Sequence, residues 1–187
     1  APTIEWQKTY NDFRFENKPY GLAAISCVQC NDGGFIITGS AIEFCFHCSG
    51  RYPDSYCFLL KLNSTGELDS LWIENPKIFK WGQQFITPMY HGASVKETSQ
   101  GDFILAGNGN RAMFFLKTDS LGNPKDGTPV EYQDKGRALL IEKVTEGYTI
   151  VHFFNDETYV LHIDTDGKSI SDSRIGKESG YGIPTNP

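Results

Sequence analysis

Residues 32–39, DGGFIITG, and residues 115–122, FLKTDSLG, decide the fold. The first sets a polar, glycine-rich turn directly before an apolar run. The second sets an apolar run directly before a turn that ends in glycine. Asp suits such turns because its carboxylate accepts hydrogen bonds from nearby backbone N–H groups, and Gly because it reaches positive φ without a Cβ clash. An apolar run on each side of such a turn reads as a β-hairpin.

Working outward, the same two hairpins recur three times. ISCVQCNDGGFIITGSA (25–41), ASVKETSQGDFILAGNG (93–109) and ALLIEKVTEGYTIVHFF (138–154) share one pattern, with Phe35, Phe103 and Tyr148 equivalent. Each is followed by a second unit, CFLLKLNSTGEL (57–68), MFFLKTDSLGNP (113–124) and TYVLHIDTDGKS (158–169), with Gly66, Gly122 and Gly167 equivalent. From the second repeat to the third both markers advance by 45 residues; from the first to the second they advance by 68 and 56. The first repeat therefore holds twelve extra residues, within about Ile42 to Tyr56. Two hairpins per repeat predict three units of four antiparallel strands. The third strands FLLKL, FFLKT and YVLHI are apolar at consecutive positions, as in strands covered on both faces.

The composition agrees with an all-β chain. Thirteen Phe, nine Tyr and nineteen Gly against two Met favour strands and turns over helices. No window carries a helical apolar stripe, and no apolar run approaches the roughly 18 residues of a membrane span. The net charge of −6, with Lys and Arg scattered singly, leaves no nucleic-acid footprint.

These motifs resemble the propeller repeats of secreted and cell-surface proteins of bacteria and archaea. Their units run W-x-K-T-Y/F, then D-G-G-F/Y-I-I-x-G, then F/W-L-x-K-x-D-x-x-G. Here they are matched by Trp6 to Tyr10, Asp32 to Gly39 and Phe115 to Gly122. The resemblance implies a single β-propeller-like domain over residues 1–187, with repeats at about 20–75, 90–130 and 136–175 and a tail at 180–187. Propellers close with four to eight blades, and three are present. The chain is then a partial propeller, or one completed by further copies; the alternative is a closed three-repeat fold of β-trefoil type. In an open arc each terminal sheet would present a face rich in Phe, Leu, Ile and Val. Leaving several hundred Å² of it wet forgoes roughly 10 kcal/mol at about 25 cal/mol per Å². A protein partner or further copies are therefore expected over both terminal faces, with Ile4 to Tyr10 at the junction.

Five cysteines are many for this length. Cys27-x-x-Cys30 and Cys45-x-x-Cys48 have the spacing of a structural zinc site. An odd separation along a strand instead points Cys27 and Cys30 to opposite faces. If NDGG closes the first hairpin, Cys27 lies opposite Thr38, at the buried position held by Val95 and Leu140, while Cys30 aligns with Thr98 and Lys143. The expectation is therefore a disulfide among Cys45, Cys48 and Cys57 that ties down the inserted segment, with a structural zinc on Cys27, Cys30, Cys45 and Cys48 as the alternative. A small residue at position 1, as left by signal-peptide cleavage, the cysteine count and the glycosylation sequon at Asn63 point to an extracytoplasmic, secreted or cell-surface setting.

No nucleophile elbow, zinc-protease motif or phosphate-binding loop is present. Asp164 to Lys168 (DTDGK) resembles the start of a calcium loop but lacks its later ligands, and it aligns with the other hairpin turns. His47, His91, His152 and His162 are dispersed; His162 takes the place of Lys61 and Lys117 in a strand. Trp81, Phe85 and Tyr90, in the least repetitive stretch, are candidate ligand-facing aromatics for a sugar or a protein. The expected function is a non-enzymatic binding or scaffold module in surface assembly or adhesion, without cofactor. The alternatives are a carbohydrate-binding or enzyme-accessory module, and a secreted hydrolase.

Overall fold

A computed structural model describes residues 7–10, 13–15, 18–43, 54–72, 76–80, 90–109, 112–125 and 129–175. Its strands are β1 (Arg14–Phe15), β2 (Lys18–Gln29), β3 (Phe35–Glu43), β4 (Ser55–Leu62), β5 (Lys77–Phe79), β6 (His91–Glu97), β7 (Phe103–Asn108), β8 (Ala112–Thr118), β9 (Val130–Gln133), β10 (Arg137–Val144), β11 (Gly147–Phe154), β12 (Glu157–Ile163) and β13 (Ser169–Arg174). They form three antiparallel sheets in chain order: β1 to β5, β6 to β9 and β10 to β13. Each is a four-strand meander, and the first adds the two-residue β1 at its edge. No helix occurs among the described residues, and so none long and apolar enough to cross a membrane.

The repeat holds down to irregularities of register. The first hairpin of every sheet carries a β-bulge at the same place, between Ala24 and Ser26, Gly92 and Ser94, and Ala138 and Leu140. The extra residue is Ile25, Ala93 or Leu139. In the second hairpins one side chain organises each turn. Asn63 Oδ1 accepts from the N–H groups of Thr65 (3.0 Å) and Glu67 (2.9 Å). Asp119 Oδ1 does so for Leu121 (2.9 Å) and Asn123 (2.8 Å), and Asp164 Oδ1 for Asp166 (3.0 Å) and Lys168 (2.8 Å). Gly66, Gly122 and Gly167 follow at positive φ, where a Cβ would be strained. DTDGK is thus a hairpin turn.

One registration corrects the sequence expectation. Cys27 pairs with Ile37, and Ser26 with Thr38. The turn spans five residues, because Cys30 N–H bonds to Gly34 O (2.8 Å) and Gly33 N–H to Cys30 O (2.9 Å). The third repeat turns one residue sooner, with Val144 paired to Gly147. Cys27 therefore corresponds to Val95 and Ile141, not to Leu140, and Cys30 has no counterpart at Lys143.

The sheets stack in sequence through their first strands. β6 packs on β2 and β3, and β10 packs on β6 and β7. Among the described residues the first and third sheets share no substantial strand contact. Each sheet thus has a leading face, toward the preceding repeat, and a trailing face. Between the first two sheets Ile36, Cys57, Leu59 and Phe79 meet Val95, Phe103, Leu105 and Phe114. Between the second and third, Ile104, Ala106, Met113 and Phe115 meet Ala138, Ile141, Ile150 and Leu161. Most of these side chains are fully buried, at about 1.5–3 kcal/mol each for the large ones. Polar groups fix the spacing. Asn108 bonds both the N–H (2.6 Å) and the C=O (3.2 Å) of Ala138, and Tyr90 N–H reaches Ser55 O (2.9 Å). Consecutive apolar residues in β4 and β8 are buried on both faces, as expected; β12 is buried chiefly at Leu161 and Ile163.

Candidate interaction faces

The leading face of the first sheet is built like the buried leading faces of the other two. Phe35, Ile37, Phe58 and Leu60 stand where Phe103, Leu105, Phe114 and Leu116 stand in the second. Among the described residues no other sheet lies over them, although Phe58 and Leu60 are buried. The N-terminal segment covers them in part, with Tyr10 and Phe13 packed against this cluster and against each other (ring centroids 6.4 Å). Tyr10 Oη donates to Gly66 O in the second-hairpin turn, and Lys8 pairs with Glu67 beside it. The third sheet meets the same arrangement. There Tyr132 of β9, the outermost strand of the second sheet, donates to Gly167 O, the equivalent carbonyl. Lys8 to Tyr10 thus occupies, against the first sheet, the place that β9 occupies against the third. Ile4 to Trp6 lie outside the described residues.

Toward the inner strand this cover ends. Ile25 is 55% exposed and Cys27 is exposed, whereas Val95 and Ile141, its counterparts, are fully buried by the preceding sheets. The expectation of a buried Cys27 fails because, among the described residues, no other sheet lies over this part of its face. Cys30 is buried, and burial first of all pushes its thiol up to about 12, against the lowering effect of Lys61. Cys57, wholly buried in β4, is likewise pushed up to about 12 by burial, opposed by its contact with Thr38. All three thiols are free. Cys45 and Cys48, the other members of the zinc and disulfide candidates, lie outside the described residues. Among the described residues no group of three or more potential metal ligands converges.

The trailing face of the third sheet departs from expectation in another way. Where the first two sheets carry Ile36 and Ile104, Cys57 and Met113, and Lys61 and Lys117, the third carries Thr149, Thr158 and His162. The apolar part narrows to the row Leu140, Val151 and Val160, with Phe153 beside it. Thr149 Oγ1 and His162 Nδ1 are 3.0 Å apart and satisfy one another. Among the described residues, a terminal face rich in Phe, Leu, Ile and Val is therefore found on the leading side and not on the trailing one. The trailing side mixes that apolar row with Thr149, Thr158 and His162.

Of the aromatic candidates, Trp81 and Phe85 lie outside the described residues. Tyr90 is buried, tilted against Phe114 (6.1 Å), with its hydroxyl on Glu131 (3.3 Å). It packs in the core and is not an open platform. Asn63 sits in an exposed turn, its Oδ1 also accepting from Thr65 Oγ1 (2.8 Å). His47 is outside the described residues, and His91 lines the second junction near Asn108 (3.2 Å), its pKa lowered by burial first and then by Arg137.

Sequence inspection missed one polar cluster. His152, 1% exposed, stacks on Tyr159 (5.3 Å) and faces Asp172 Oδ1 at 3.0 Å; Lys135 reaches Asp172 Oδ2 at 2.7 Å. Burial opposes ionisation of Asp172, yet hydrogen bonds from Lys135 and His152 hold its carboxyl below the ordinary range. Its members meet only through strand pairing, so no spacing signals it. No protein-family model matches the chain, and no curated protein matches it in sequence.

Proposed function

We propose that this chain is a non-catalytic, extracytoplasmic binding and scaffold module: a propeller-like arc of three blades that works in surface assembly or adhesion. One observation carries the reading. Lys8 to Tyr10 packs on the first sheet as β9 packs on the third, tyrosine hydroxyl to turn carbonyl in both. A segment in that place is the outer strand of a preceding blade. The remaining strands of such a blade fit over Ile25, Cys27 and Ile37, whose counterparts in the other sheets are covered in that way. The occupant is another four-stranded sheet of the same repeat type, in a second copy or elsewhere in a longer polypeptide. Assembly through the leading face follows from the residue contrast between the two ends.

Sedimentation velocity at micromolar concentration, combined with maleimide labelling mapped to Cys27, tests this. The expected result is self-association, or association with a protein bearing the same repeats, in which Cys27 becomes protected. A chain that stays monomeric, with Cys27 equally reactive alone and with every candidate partner, would refute it.

A further inference from the structure

Between the second and third sheets a cleft opens at the end where the hairpin turns lie. Two cavities of about 450 and 410 Å³ share Lys117 and Thr165 in their walls. Such volumes are those of small-molecule sites. Thr98, Ser99, Gln100 and Thr145 bring hydroxyl and amide groups to one cavity, and Asp166 stands in the wall of the other.

The informative residue is Lys117, because the first sheet shows what its position ordinarily requires. Lys61, its equivalent, is 3% exposed and neutralised by Asp32 Oδ2 at 2.6 Å and Asp69 Oδ2 at 3.6 Å. A buried ammonium is costly unless paired, and Lys117 is the more accessible of the two. In the second sheet both acids are gone. Gln100 replaces Asp32, and Lys125 replaces Asp69, with the same backbone bond from its N–H to the lysine carbonyl (3.0 Å in each). Asp102 is held by Lys125 at 2.5 Å and is already neutralised. Lys117 makes no ion pair among the described residues, and Lys143, 3.3 Å from Ser99 Oγ, adds a second cation to the cleft. Lys117 and Lys143 thus stand among hydroxyl groups, with Asp102 held by Lys125 and Asp166 in the wall of the other cavity.

We propose that this cleft binds an acidic sugar. Lys117 takes the carboxylate, and the threonine, serine and glutamine side chains take the ring hydroxyls. The site lies apart from the first sheet's leading face, so it stands whether or not that face is covered.

The test is titration of the full chain with sodium glucuronate, glucose and glutamate, followed by calorimetry and amide chemical shifts. Glucuronate is expected to saturate and to move the amides of Lys117, Lys143 and Thr165. Glucose and glutamate should each bind at least about tenfold more weakly. A charge-assisted hydrogen bond is worth about 1.5–3 kcal/mol, so Lys117→Met should weaken glucuronate by roughly 10- to 100-fold, with Lys117→Arg close to the parent. Thermal unfolding checks that both variants fold; if Lys117→Met does not, the shift map of the parent decides. Glucuronate no tighter than glucose, glutamate as tight as glucuronate, shifts outside the cleft, or no saturation would each overturn the proposal.

Discussion

Gly92 and Thr38 mark the closest approach of the first two sheets, and substituting them tests how the repeats are held together. A Cβ on Gly92 would lie 1.9 Å from Thr38 Oγ1 and 3.0 Å from Thr38 Cβ and Cγ2. Thr38 is fully buried and its hydroxyl donates to Phe58 O at 2.7 Å, so it cannot yield without losing that bond. Gly92 is not at positive φ, so alanine suits its backbone and the clash is the only obstacle. Overpacking costs about 1–3 kcal/mol, and losing the bond from the Thr38 hydroxyl about 0.5–1.5 more. Gly92→Ala should therefore destabilise by about 2–4 kcal/mol, a large share of a domain's 5–15. At the second junction the equivalent pair is Ala106 and Ala138, both buried. The double variant Thr38→Ala/Gly92→Ala reproduces that pair, and should recover about 1–3 kcal/mol relative to the sum of the single changes. Urea unfolding followed by circular dichroism, with constant m, reads all four proteins. Were Gly92→Ala neutral, or the two changes strictly additive, the sheets would not meet at this point and the derived interface would be wrong.

Two further outcomes follow from polar contacts. Tyr132→Phe removes the buried bond to Gly167 O and should cost about 1–1.5 kcal/mol, while Tyr10→Phe, at the half-buried counterpart, should cost less; equal losses in urea unfolding would deny that one end is better covered. Asp172 has a depressed pKa in the folded chain, so its contribution is present above the unfolded value near 3.8 and lost as pH falls through the lower folded value. Asp172→Asn should lose at most about 1 kcal/mol at pH 7, the worth of an exposed pair, and flatten the decline below pH 4; an unchanged acid limb would remove Asp172 from the account.

The periodic parts of the fold were legible in the residues. Turn chemistry and the alternation of apolar runs located both hairpins of each repeat, because these depend on neighbours a few positions apart. The shared β-bulge was not legible, because it shifts register by one residue without any compositional mark; Cys27 was misplaced by the turns, five residues long in the first repeat and one residue shorter in the third. Burial of Cys27 failed for a different reason. Its strand position is apolar in type, but exposure depends on whether a sheet precedes it, which no local pattern encodes. The unpaired Lys117 was visible only by comparison, since FLLKL and FFLKT look alike until the acids around each lysine are found in space. Asp172 and His152 are brought together by pairing of β12 with β11 and β13, and no spacing rule anticipates that.

The second-hairpin turns carry a consequence for how such a chain can diversify. In each, a single Asn or Asp side chain ties two backbone N–H groups and the following glycine supplies the reversal, so the turn is complete without its intervening residues. Those residues, Ser64 and Thr65, Ser120 and Leu121, and Thr165 and Asp166, differ from repeat to repeat while the geometry stays the same. Shape and chemistry are thereby uncoupled along one rim of the protein. Mutation can rewrite what that rim presents, one repeat at a time, while the sheets beneath keep the registers that hold them together.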